Sequence, residues 1–164
     1  EALLRDTTAQ RRRHYGSSGE LGIDLLRYGR LLNQLDRPAE ALTALRAAAP
    51  ITAEYYGRQS EANVQVGIAT VEILSALGRV DQAQAAFDLV TQSIASVRPG
   101  DLLKARYLRS RAALHIARGD TDQAATDLNA AELSARKAGR GADMFKREAA
   151  VVRKRLALAG RHGA

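Results

Sequence analysis

The chain has 164 residues, 46% hydrophobic and 26% charged, which suits one globular domain with a core of its own. It has no Cys, which excludes disulfides, thiolate metal sites and Cys nucleophiles, and no apolar run approaches the roughly 18 residues of a membrane-spanning helix. The net charge of +7 is uneven: residues 1–103 carry 11 Lys and Arg against 12 Asp and Glu, whereas residues 104–164 carry 14 against 6.

Ala and Leu dominate, with only 3 Pro and 4% aromatics, so the composition predicts helices packed closely through small side chains. The first predicted helix covers residues 2–14, closing at Gly16 in "LRDTTAQRRRHYG". "GSSGE" (Gly16–Glu20) then reads as a turn with a Ser N-cap and an acidic first turn. A nucleophile elbow is excluded there, because no strand precedes it. The second and third helices are predicted at 19–35 and 38–55. Pro38 suits the first turn of a helix. Pro50 lacks an N–H and crowds the carbonyl of Arg46, which predicts a kink or break. Further helices are predicted at 59–77, 80–97, 101–118, 121–139 and 142–159. The last, in "FKREAAVVRKRLALAGR", is amphipathic and reads as a cap whose apolar side carries Val151, Val152, Leu156 and Leu158.

Catalytic constellations are scarce. His14 stands at a helix end, His115 reads as a partly buried packing residue and His162 lies in a Gly-rich tail. None has a partner at metal-ligand spacing. Asp120 and Asp122 read as N-cap and first-turn charges, and "GRGAD" (Gly139–Asp143) lacks the Lys-Ser/Thr ending of a phosphate loop. No enzyme activity and no cofactor are expected.

The helices repeat. "ALGRVDQAQAAF" (Ala76–Phe87) and "IARGDTDQAATDL" (Ile116–Leu128) are variants of one pattern. Aligning Ala41, Ala83 and Ala124 brings Leu45, Phe87 and Leu128 into register four residues later. Asp36, Gly78 and Gly119 fall into register five residues earlier, each in a turn setting. Physically this is a helical hairpin written along the chain. A small residue of the second helix lets the first approach, and a large one a turn later fills the gap to the next unit.

That spacing, with the small, large and turn-glycine positions and the segments "TTAQRRRHYG" and "ALGRVDQA", resembles the tetratricopeptide repeat. The period of about 42 residues resembles the longer variant of kinesin light chain and of bacterial regulators. The resemblance implies an all-α, right-handed superhelical solenoid of helix-turn-helix repeats. The units would be a partial repeat at 1–16, repeats at 17–57, 58–100 and 101–140, and a capping helix and tail at 141–164. Because the chain begins with Glu1 rather than Met, it reads as part of a longer protein. The expected compartment is the cytoplasm, with the periplasm as the alternative.

The resemblance also implies a binding scaffold whose concave wall is built from the first helix of each pair. The partner-binding residues expected there are Arg30, Asn33, Gln34, Gln65, Glu72, Arg106 and Arg109. Arg106 and Arg109 lie one turn apart with no acidic residue at helical spacing, so they are expected to face an acidic peptide or protein segment. The alternative is that both point to solvent or pair across repeats with Glu72. Replacing both with Ala is expected to spare the helical fold. A module within a larger bacterial signalling or regulatory protein is the first functional reading. A nucleic-acid-binding repeat using the basic C-terminal half is the second. Insertion into a membrane is not expected, and the sequence leaves the oligomeric state open.

Overall fold

The computed structural model describes residues 18–139 and 141–162, and the predicted helix at 2–14 lies outside them. The described residues form seven α-helices and no strand. They are α1 (Gly19–Gln34), α2 (Pro38–Tyr56), α3 (Glu61–Ala76), α4 (Val80–Ile94), α5 (Asp101–Arg118), α6 (Thr121–Lys137) and α7 (Ala142–His162). A single 3-10 turn, Ala95–Val97, extends α4. Among the described residues, the seven helices predicted from residue 19 onward are present within a few residues of their expected ends.

Local chemistry explains the boundaries. Ser18 caps α1 by accepting from the backbone N–H of Leu21 at 3.3 Å, and Ser60 caps α3 by accepting from Asn63 at 3.2 Å. The turns inside the three hairpins are one geometry used three times. Asp36, Gly78 and Gly119 all take positive φ, at 59°, 68° and 86°. The next residue in each case donates back to the preceding helix: Arg37 to the Leu32 carbonyl, Arg79 to Leu74 and Asp120 to His115, each at 2.9 Å. This is the Schellman closure, in which a left-handed residue satisfies the last carbonyls of a helix. Asp at the first of these positions tolerates the left-handed conformation better than most side chains do.

Of the kink or break predicted at Pro50, the break does not occur, since α2 runs through it. Pro50 and Arg46 are exposed, so the Arg46 carbonyl that loses its N–H partner faces water rather than the core.

Packing is most extensive within each hairpin, α1 on α2, α3 on α4 and α5 on α6. Ala41, Ala83 and Ala124 are completely buried at the three crossings, as their register requires. In the first hairpin the approach is so close that a Cβ on Gly29 would stand 2.9 Å from Leu45 Cδ2. The first helices of successive hairpins also meet one another: α1 packs on α3, α3 on α5, and α5 on α7. Helix α3 therefore has neighbours all round, and Ile68, Val71, Glu72, Ile73 and Ser75 are all buried.

Helix α7 packs on both helices of the last hairpin. Phe145 and Ala149 pack with Ala105, Ala131 and Ala135, and Val152 packs with Ala112, Ala124 and Leu128. It also does something that was not expected, reaching back across the first helices to touch α1.

Two measurements check this architecture. Ala83→Leu should overpack the second hairpin and lower stability by about 1–3 kcal/mol in denaturant unfolding. Removing residues 142–164 should bare the apolar face of α5 and α6. The shortened chain should then self-associate in analytical ultracentrifugation and melt at a lower temperature.

Candidate functional site

The first helices of the three hairpins, α1, α3 and α5, together with α7, bring their polar side chains to one place. A cleft of about 470 Å³ opens between α1 and α7, with Arg30, Gln34, Gln65, Arg106 and Glu148 among its lining residues. A small adjoining recess is lined by Asn33, Glu72, Arg109 and Val151, and again by Arg30, Gln34 and Glu148. The seven residues expected to bind a partner thus stand around a single cleft and its recess.

Their state differs from the expectation. Arg109 is not an unpaired groove residue; it is 1% exposed and fully engaged. Its Nε donates to Glu72 Oε1 at 2.9 Å, Nη2 to Glu72 Oε2 at 3.3 Å and Nη1 to Glu148 Oε2 at 2.6 Å. Its guanidinium also lies over the Phe145 ring, 5.0 Å from the centroid. Burial alone would make this guanidinium less basic, but the two carboxylates outweigh it and raise its pKa above the ordinary value. Glu72 supplies one half of the pairing, as the cross-repeat alternative held. The other half comes from Glu148, which sequence reasoning missed. The signal was present, since one repeat of 42 residues separates Arg106 from Glu148. Assigning 141–164 to a capping helix and tail hid it.

Arg106 is also buried, at 5% exposure. Its Nη1 donates to Gln65 Oε1 at 3.1 Å, and its Nε lies 3.7 Å from Glu148 without a hydrogen bond. Arg30 Nη2 donates to the same Gln65 oxygen, also at 3.1 Å. Two guanidinium groups therefore share one neutral acceptor. Burial, then repulsion from Arg106, pulls the Arg30 pKa down to about 10, opposed in part by Glu148 and Glu72. Burial likewise lowers Arg106. Asn33 accepts from Arg155 Nη2 of α7 at 3.2 Å, and Arg155 approaches Asp36 at 3.7 Å. Gln34 is exposed at the rim.

Much of the basic half is also taken up internally. Arg111 forms a two-pronged pair with Asp127, Arg153 pairs with Glu132 and Lys146 with Asp143. His115 is half-buried between Asp120 and Asp127. Among the described residues, no group of three or more His, Asp or Glu could hold a metal ion, and no helix is long and apolar enough to cross a membrane. No family model, curated protein or solved structure matches this chain.

Burial would push the Glu148 carboxyl up, but Arg109, Arg30 and Arg106, with the Arg109 hydrogen bond, hold it below the ordinary 4.5. The unfolded chain therefore binds this proton more readily than the folded one. The stabilisation is complete above about pH 4.5 and declines as the pH falls further. Glu148→Gln should flatten that acid limb in thermal melts recorded from pH 3 to 6. Arg109→Ala should strand Glu72 and Glu148 and cost about 3–5 kcal/mol. The expectation that both arginines can be replaced without harm to the fold is thereby withdrawn.

Proposed function

We propose that this chain is a non-catalytic interaction scaffold of the tetratricopeptide type, its hairpins stacked into a right-handed superhelix, which holds a peptide or protein segment on its inner face. A setting within a larger bacterial signalling or regulatory protein suits such a module. The observation that carries this reading is the cleft between α1 and α7. Its volume of about 470 Å³ falls within the usual range for ligand sites, and Ile23, Leu26, Leu31 and Met144 line it together with its polar groups. The three hairpins repeating at 42 and 41 residues support the family assignment.

The bound segment occupies the part of the inner face that α7 leaves open, rather than a groove running the length of the array. Met144 is half exposed beside this opening, where an apolar anchor from a partner can cover it. The nucleic-acid reading is not favoured. It rested on the surplus of cations in residues 104–164, and Arg106, Arg109, Arg111 and Arg153 of that surplus are paired or hydrogen-bonded within the protein.

A displayed peptide library selected against the chain tests this reading. Ile23→Lys and Met144→Lys should weaken the selected peptides at least tenfold. Leu133→Lys, at an exposed position of α6 outside the cleft, should leave them unchanged. Peptides that are indifferent to both cleft variants would remove the site from the inner face.

A further inference from the structure

Among its buried groups the polar cluster beneath the cleft is not neutral; the exposed Glu61 acts on Arg106 only from its edge. The guanidinium groups of Arg30, Arg106, Arg109 and Arg155 face the carboxylates of Glu72 and Glu148, with Asp36 standing at the exposed end of Arg155. Glu72 and Glu148 accept their hydrogen bonds from Arg109, and Glu148 also stands 3.7 Å from Arg106 Nε without a hydrogen bond. The remaining positive charge falls on Arg30 and Arg106. Between them lies only Gln65 Oε1, an amide oxygen with two lone pairs, and both are used. The Nε atoms of Arg30 and Arg106 are buried and have no hydrogen-bond partner. A buried, incompletely paired guanidinium is costly to the fold, and a fold built for stability alone would place a carboxylate beside it.

We propose that the cleft between α1 and α7 binds an oxyanion, with Arg30 and Arg106 gripping a carboxylate or phosphoryl group of the ligand. Arg30 forms part of both the cleft and the recess behind it, and Arg106 lines the cleft beside it. Two planar donor sets converging on one point suit an oxyanion, and removal from water strengthens the attraction. Ile23, Leu26 and Met144 flank the position and take the apolar part of the same ligand. The inference deepens the interaction reading and rests on it for the choice of surface. The anchor itself follows from the charge imbalance and not from the repeat family.

The test uses sodium phosphate and sodium acetate as probes at pH 7, with sodium chloride at matched ionic strength as the control. The Nε–H signals of Arg30 and Arg106 are followed by ¹⁵N NMR, and thermal melts are recorded alongside. Saturable shifts and a raised Tm with phosphate or acetate, and not with chloride, are expected. Stronger binding of phosphate assigns a phosphoryl ligand; acetate binding as tightly assigns a carboxylate. Arg30→Met should weaken the oxyanion at least tenfold while leaving the Tm without anion equal or higher, because a poorly paired buried charge has been removed. Gln65→Glu should also weaken it at least tenfold, because it places a carboxylate between the two arginines. This second variant keeps the test decisive if Arg30→Met does not fold. Shifts no larger than those in chloride, or undiminished binding by both variants, would overturn the proposal. Oxyanion binding without any library peptide would retain the site and remove the peptide reading. Cleft-bound peptides without any oxyanion effect would do the opposite.

Discussion

A guanidinium group cannot shed its charge in a protein interior, so a fold that buries one must bring acceptors to it. Arg109 imposes that constraint here. It projects from α5 and is met by Glu72 from α3 and Glu148 from α7, with the Phe145 face closing the remaining side. Three helices from three parts of the chain must therefore arrive together. The apolar contacts between neighbouring hairpins are non-directional and tolerate small slips. The forked hydrogen bonds of Arg109 do not, and they set how α7 lies against the inner helices.

Around this node the molecule separates two tasks. The hairpin interiors are filled by Ala, Leu, Ile and Val, with Ala41, Ala83 and Ala124 at the crossings. The inner surface, where helices of different hairpins meet, carries the polar and charged groups. Near Arg109 those groups are satisfied by one another. Toward the cleft they are not, since Arg30 and Arg106 share a single amide oxygen. The same inner surface is thus structural at one end and chemically open at the other, a few residues apart along α5.

The hairpins were legible in the sequence because they depend on short-range features. Asp36, Gly78 and Gly119 mark the turns, and the alanines five residues later mark the crossings, all within a span that a repeat alignment can read. The serines of "GSSGE" announced the start of α1, and the structure uses Ser18 as the cap. The inner face was legible only in part. The repeat register identified Arg30, Gln65, Glu72, Arg106 and Arg109 as neighbours, but not whether they would face water. That depends on α7, whose apolar stripe of Val152 and Leu156 fits equally well an outer lid and an inner helix. Glu148, one turn before Val152 on the same buried face, decides between them, and its role appears only when the period is carried one unit further. Pro50 misled for a different reason. Local sterics predict a break, but the cost falls on a carbonyl that water can reach, and the buried face of α2 through Ala48, Ile51 and Thr52 holds the helix together.

The return of α7 to α1 has a consequence for how such an array can change length. An open stack of hairpins can gain or lose a unit, since each contacts only its neighbours. Here Arg155 reaches Asn33 and Asp36 across the whole set of inner helices, and Glu148 meets Arg109 at the same time. Inserting one more hairpin between α6 and α7 would carry both residues out of reach. It would leave Arg109 half paired in the interior. Duplication of a unit, the ordinary route by which repeat proteins diversify, is closed to this arrangement unless the charges are rewritten along with it. The number of hairpins between α1 and α7 is therefore encoded electrostatically, by which arginine must find which glutamate.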